Sequence, residues 1–142
     1  MDLAYLLTPP VAWLVAGSAK FAINTLRAGK PAFGLIGYGG MPSNHTAIVV
    51  SAAALIGLRE GVEHPALAVA VALAMIVIID ARSLRIKVGH HAAAINRLRL
   101  DEDVDPPLRE RMGHTRAEVA GGIVTGALVA LVMHGAFSVL LP

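Results

Sequence analysis

The stretch VAGGIVTGALVALVMHGAFSVLL at residues 119–141 carries no formal charge, and His134 is its one ionisable side chain. A run of this length crosses the roughly 30 Å hydrocarbon core of a bilayer as a helix, for which about 20 apolar residues suffice. Backbone amides find no water in hydrocarbon, and the helix satisfies them within a single segment. Working outward, further apolar runs occupy 3–26, 46–58 and 66–79, with polar stretches between them. All four read as helices. The middle two are shorter than a straight span requires, so they are expected to tilt, to extend into their polar flanks or to thin the bilayer. Ala-rich runs such as AVAVALAM at 68–75 lack turn signals at hairpin spacing, which argues against strands.

Composition points the same way. Apolar residues make up 56% and charged residues 15%, with mean hydropathy +0.65; average soluble chains hold roughly 45–50% and 25%. The competing description is a soluble helical protein with a very apolar core. The 142 residues suit one compact unit, so residues 1–142 are taken as a single membrane-embedded domain. The expected fold class is all-α: a polytopic membrane helix bundle of about four transmembrane or membrane-embedded helices. With no cysteine, the chain has no disulfide, thiol nucleophile or thiolate zinc site. A net charge of +2 gives no reason to expect a nucleic-acid partner. The N-terminus has no basic region before its apolar run, so it does not read as a removable signal peptide.

If all four segments cross, linkers 27–45 and 80–118 share one side of the membrane. That side holds Arg27, Lys30, Arg82, Arg85, Lys87, Arg97, Arg99, Arg109, Arg111 and Arg116, against Arg59 on the other. The positive-inside rule makes it cytoplasmic, although cations that bind substrate would bias the count. A multi-pass protein of a bacterial-type inner membrane is expected, in contact with membrane lipids. Linker 81–113, with the acidic cluster DEDVD at 101–105, reads as a partly helical cap or a mobile loop. Gly122 and Gly126 stand at small-xxx-small spacing, which permits close helix contact within one chain or between two.

Chemistry concentrates at the same side. Lys20 lies inside an apolar segment, where an ammonium needs a polar cavity or a partner unless it snorkels to the headgroups. Arg27 follows seven residues later, almost two helical turns, so both cations project from one face about 10 Å apart. In GYGGMPSNHTAIVV at 37–50, Ser43 suits a helix N-cap, and the first-turn N–H groups suit a phosphate. His45 at that mouth is placed to pass a proton to a leaving oxygen. In ERMGHTRAEVAGG at 110–122, Thr115 and Glu118 form a capping box. His114, four residues before Glu118, is within reach of its carboxylate, and a carboxylate-held imidazole is the better nucleophile. Asp80 reads as an ion-pair anchor at a helix end. Arg85 is a further phosphate ligand, because a guanidinium fork matches phosphate oxygens. Each cluster also has a purely structural description as a cap or interfacial anchor. Their convergence on one membrane face, with no carboxylate cluster suited to a metal, favours metal-free phosphoryl transfer to histidine.

These residues resemble the type 2 phosphatidic acid phosphatase superfamily, in particular its short divergent branch related to acid phosphatases and vanadium haloperoxidases. The superfamily pattern is Lys-x6-Arg-Pro, then Pro-Ser-Gly-His, then Ser-Arg-x5-His-x3-Asp. Lys20 to Arg27 matches the first spacing, Pro42-Ser43-Asn44-His45 the second, and His114 to Glu118 the last His-x3-acid, over about residues 20–126. The resemblance implies that His114 attacks phosphorus, that Glu118 orients it and that His45 protonates the leaving group. Lys20, Arg27, Ser43 and Arg85 would then neutralise the phosphate oxygens, with no metal and no cofactor. The sequence departs from the pattern at Ala28, Asn44, Glu118 and Leu108, the last standing where the motif arginine belongs. Arg85, Arg109 or Arg111 could substitute. A second alignment, Arg85 with His91, puts Ile95 at the acid position. The superfamily core has six helices, so a homodimer is one way to complete the fold, with GGIVTG as its local support. The expected substrate is a phosphorylated lipid: an isoprenyl diphosphate, phosphatidate or phosphatidylglycerophosphate. The alternatives are an inactive anion-binding or scaffold protein and a small transporter subunit relying on Lys20 and His134.

Overall fold

The computed structural model describes residues 3–33, 39–98 and 106–140. The acidic cluster at 101–105 and Arg99 lie outside the described residues. The described residues form five α-helices: α1 (Ala4–Ala28), α2 (Asn44–Glu60), α3 (Pro65–Ile79), α4 (Arg85–Leu98) and α5 (Arg116–Leu140). No strand occurs among the described residues. A π-helical turn, Asp80–Leu84, joins α3 to α4 without a break. The third apolar run therefore extends deep into its polar flank. Of linker 81–113, read as a partly helical cap or a mobile loop, residues 81–98 are helix and residues 106–113 are not.

Three of these rods, Ala4–Ala28, Pro65–Leu98 and Arg116–Val139, are long and apolar enough to cross a membrane. The expectation of four crossing segments is thus met by three spans and a shorter helix. At 17 residues, α2 rises about 25 Å, and it packs against α1, α3 and α5 together. The outward surface is apolar: on α3, Val69, Leu73, Met75, Ile76 and Ile79 are all exposed. A water-facing helix would carry polar side chains there, so this surface suits lipid.

Small residues allow the close packing. On α5, a Cβ at Gly122 would lie 2.6 Å from the Ser43 carbonyl oxygen, and one at Gly126 would lie 2.6 Å from that of Ala47. The small-xxx-small motif is consumed inside the chain, where α5 meets α2, so GGIVTG no longer supports a homodimer. Helices α1 and α2 run antiparallel. At one end the Tyr5 hydroxyl donates to Glu60, Arg59 lies 5.5 Å over the Tyr5 ring, and Ala4, Leu55 and Ala130 form a buried cluster. At the other end the start of α2, the last turns of α1, the π-helical turn and the start of α5 converge.

Candidate active site

Two helix starts build the centre. Ser43 caps α2: its hydroxyl accepts from the Thr46 N–H at 3.4 Å and from the Thr46 hydroxyl at 3.0 Å. At α5 the capping box forms as read from the sequence, with the Glu118 N–H donating to the Thr115 hydroxyl (3.2 Å) and the Thr115 N–H to Glu118 Oε2 (3.0 Å). The same Oε2 stands 3.0 Å from His114 Nδ1. One carboxylate oxygen therefore closes the helix and holds the imidazole. His114 is buried, 7% exposed. With Nδ1 engaged by Glu118, Nε2 is the nitrogen left for chemistry.

Backbone bonds fix these pieces to each other. The Ser43 N–H donates to the Glu118 carbonyl (2.9 Å), joining the α2 and α5 starts, and the His114 N–H donates to the Ala81 carbonyl (2.9 Å), joining α5 to the π-helical turn. Gly113 makes the approach possible. It has φ +88°, and a Cβ there would fall 2.6 Å from Ile86 Cγ1, so the position needs glycine on both counts. The π-helical turn serves Arg85. Its backbone N–H donates to the Asp80 carbonyl, the i→i+5 bond that sets residues five apart above one another. The Arg85 Nε accordingly meets Asp80 Oδ2 at 3.1 Å.

A cavity of about 270 Å³ opens over this frame. Lys20, His45, Arg85 and His114 all line it, and the His45 and His114 rings stand edge to face with centroids 6.1 Å apart. Arg27 and Ser43 are not brought to it. Arg27 shares the α1 face with Lys20 but is exposed beyond the cavity; Asn24, one turn from Lys20, stands at the lining instead. Ser43 is fully buried, and its hydroxyl is occupied by Thr46. The resemblance named both as phosphate ligands, and the structure gives them other places: a helix-end cation and a cap. His91, from the alternative alignment, is exposed on α4 and absent from the lining.

Two polar lining residues, Asn24 and Asn44, are not among the ligands expected from the sequence. Asn24 had no charge to mark it. Asn44 appeared only as a departure from the motif glycine, yet it lines the cavity with its Oδ1 buried and without a hydrogen-bond partner. Arg109 was one of three candidates for the missing arginine, and of Arg109 and Arg111 it is the one at the cavity. The neighbouring Leu108 is held away from it: Asn96 pairs with both its N–H (2.9 Å) and its carbonyl (2.8 Å), and its side chain is exposed. Among the described residues, no three His, Asp or Glu side chains gather as a metal site would require.

The fold and the centre thus define a helical multi-pass membrane protein with a carboxylate-held histidine in a cationic cavity at one bundle end. The chain belongs to the Divergent PAP2 family, whose model matches residues 1–129. It is similar to the uncharacterized membrane protein YuiD of Bacillus subtilis (strain 168), 34% identical over 111 residues that cover 67% of this chain and 70% of that one. No solved structure matches it.

Proposed function

We propose that the protein is a lipid phosphohydrolase working through a phosphohistidine. The observation that carries this reading is the His114–Glu118 pair at 3.0 Å, whose imidazole lines the cavity shared with His45, Lys20 and Arg85. His114 Nε2 attacks phosphorus while the bond from phosphorus to the lipid oxygen breaks. Glu118 balances the charge growing on the imidazole through the Nδ1 proton. His45, whose pKa burial and the Arg85 guanidinium lower in the free site, takes up a proton as the phosphate dianion binds and donates it to the departing oxygen. Water then attacks the phosphohistidine, gives a proton to His45 and frees both phosphate and His114. Lys20, Arg85 and Arg109 offset the negative charge on the non-bridging oxygens, the main source of stabilisation in phosphoryl transfer. The sequence gathers its basic residues in linkers 27–45 and 80–118, the linkers that supply the site, which supports a cytoplasmic site by the positive-inside rule.

Phosphate release from a panel of lipid phosphates and diphosphates, measured in EDTA, tests this. The wild type is expected to release phosphate and His114→Asn to lose at least about 10³-fold in rate, as other covalent nucleophiles do. Equal release from both proteins would remove His114 as nucleophile. The second reading, a lipid-phosphate binder without turnover, is favoured by Leu108 at the motif arginine position; it expects binding without release from either protein.

A further inference from the structure

The cavity does not end at its charged groups. Beyond Lys20, the same space is lined by Gly17 and Trp13 of α1 and by Ile48 of α2. Trp13 precedes Lys20 by seven residues, about 10 Å of helix rise, and Ile48 follows Asn44 by four, about 6 Å. Because the two helices are antiparallel, both steps lead the same way, from the charged end toward the middle of the bundle. Polarity therefore falls along the cavity as membrane depth increases. Gly17 keeps this seam open: it lacks a side chain where α1 passes α2, and a Cβ there would lie 3.6 Å from Asn44 Nδ2. Trp13 stands at the outer lip, 53% exposed.

We propose that the seam between α1 and α2 is a lateral entry in which one hydrocarbon tail of the substrate lies along Gly17, Ile48 and Trp13 while its phosphate meets Lys20, Arg85 and His114. This rests on the lipid phosphohydrolase reading and adds to it the route and the residues that recognise the tail. A lipid already in the bilayer has its phosphate at the interface and its tail below, the same order as the cavity's two ends. The tail stays in an apolar medium throughout, so entry does not expose it to water. A second apolar groove, lined by Val11, Val15, Leu128 and Val132 between α1 and α5, lies on the opposite face of α1 and does not share the cavity with the phosphate groups.

Trp13 is the single tryptophan of the chain, so its fluorescence reports the seam directly. In detergent, a long-chain alkyl monophosphate brominated near mid-chain is expected to quench it saturably, with reversal by excess inorganic phosphate. The brominated alcohol of the same chain, lacking phosphate, is expected to quench weakly and without saturation. Equal quenching by the two would overturn the proposal. Gly17→Leu should reduce the saturable quenching and lower the preference for long over short alkyl phosphates in phosphate release by about tenfold, the scale of pocket discrimination against apolar groups; an unchanged preference would also sink it. Quenching is read on His114→Asn, which keeps the cavity but does not consume the probe, and release on the wild type, so selective quenching with no release supports the seam and removes the phosphohydrolase. Release without selective quenching does the reverse.

Discussion

Glu118 holds two jobs on one oxygen, and they separate by substitution. Glu118→Gln retains an amide oxygen for the Thr115 N–H, since glutamine serves in a capping box as glutamate does, but it removes the charge facing His114. Thermal stability in detergent is expected to change by less than about 1 kcal/mol, while kcat for phosphate release falls about 10²-fold or more. A Thr115→Ala variant is expected to do the opposite, costing about 1 kcal/mol of stability through the lost cap with a smaller loss of rate. If the two variants lose stability and rate in parallel, the carboxylate acts only through folding. Neither role was hard to see in the sequence, because His114, Thr115 and Glu118 lie within one helical turn. Arg27 and Ser43 were harder. Spacing put Arg27 on the Lys20 face, but face is an angular quantity, and the cavity ends one turn earlier, at Asn24. Ser43 had two uses open to its hydroxyl, and burial against Thr46 selected the cap.

At the scale of elements, the π-helical turn is the feature that no periodicity announced. In an α-helix Asp80 and Arg85 would point well apart, and the i→i+5 bond aligns them. Asp80→Asn removes the ion that steadies Arg85. The expected result is a several-fold higher KM for a lipid phosphate with little change in fold, because an exposed ion pair adds at most about 1 kcal/mol to stability. An unchanged KM would mean that Arg85 does not touch substrate. Helix contact is also testable here. Gly126→Leu would drive carbons into the Ala47 carbonyl, already 2.6 Å from a built Cβ. Overpacking at such a contact costs about 1–3 kcal/mol or more, to be read as a drop in thermal midpoint in detergent. Gly135, with nothing within 4 Å of a built Cβ, is the control expected to tolerate the same change.

The whole molecule presents a charge-rich end and an end where Arg59, Glu60 and Tyr5 meet, which makes sidedness an experiment. The chain has no cysteine, so single cysteines are unambiguous reporters. Lys87→Cys on α4 and Glu63→Cys in the linker between α2 and α3 both replace exposed residues. In intact cells an impermeant maleimide is expected to label Glu63→Cys, and to reach Lys87→Cys only after permeabilisation. The reverse pattern would put the cavity outside. It would also show that the arginines at this end are concentrated for substrate rather than for topology.

Some of this protein was settled locally. Residues 119–141, the apolar runs before them and the two helix-start motifs are short-range patterns, so membrane helices, caps and the His114–Glu118 pairing follow from spacing along a single helix. Which surfaces meet is a long-range matter. Gly122 and Gly126 were equally suited to a second chain, and only the placement of α2 against α5 assigned them. That the third helix extends into its flank was open to the sequence as one of several ways to complete a short run, but how far it extends depends on its neighbours. Asn96 holding Leu108, and Gly89 fitting under the Glu110 carbonyl at 2.2 Å from a built Cβ, bind that segment to the 106–114 loop and so carry Arg109 to the cavity. The cavity itself joins residues from Trp13 to His114, distant along the chain and neighbours only after folding. Its existence was therefore decided by tertiary packing, while the chemistry that fills it was already written in residue types.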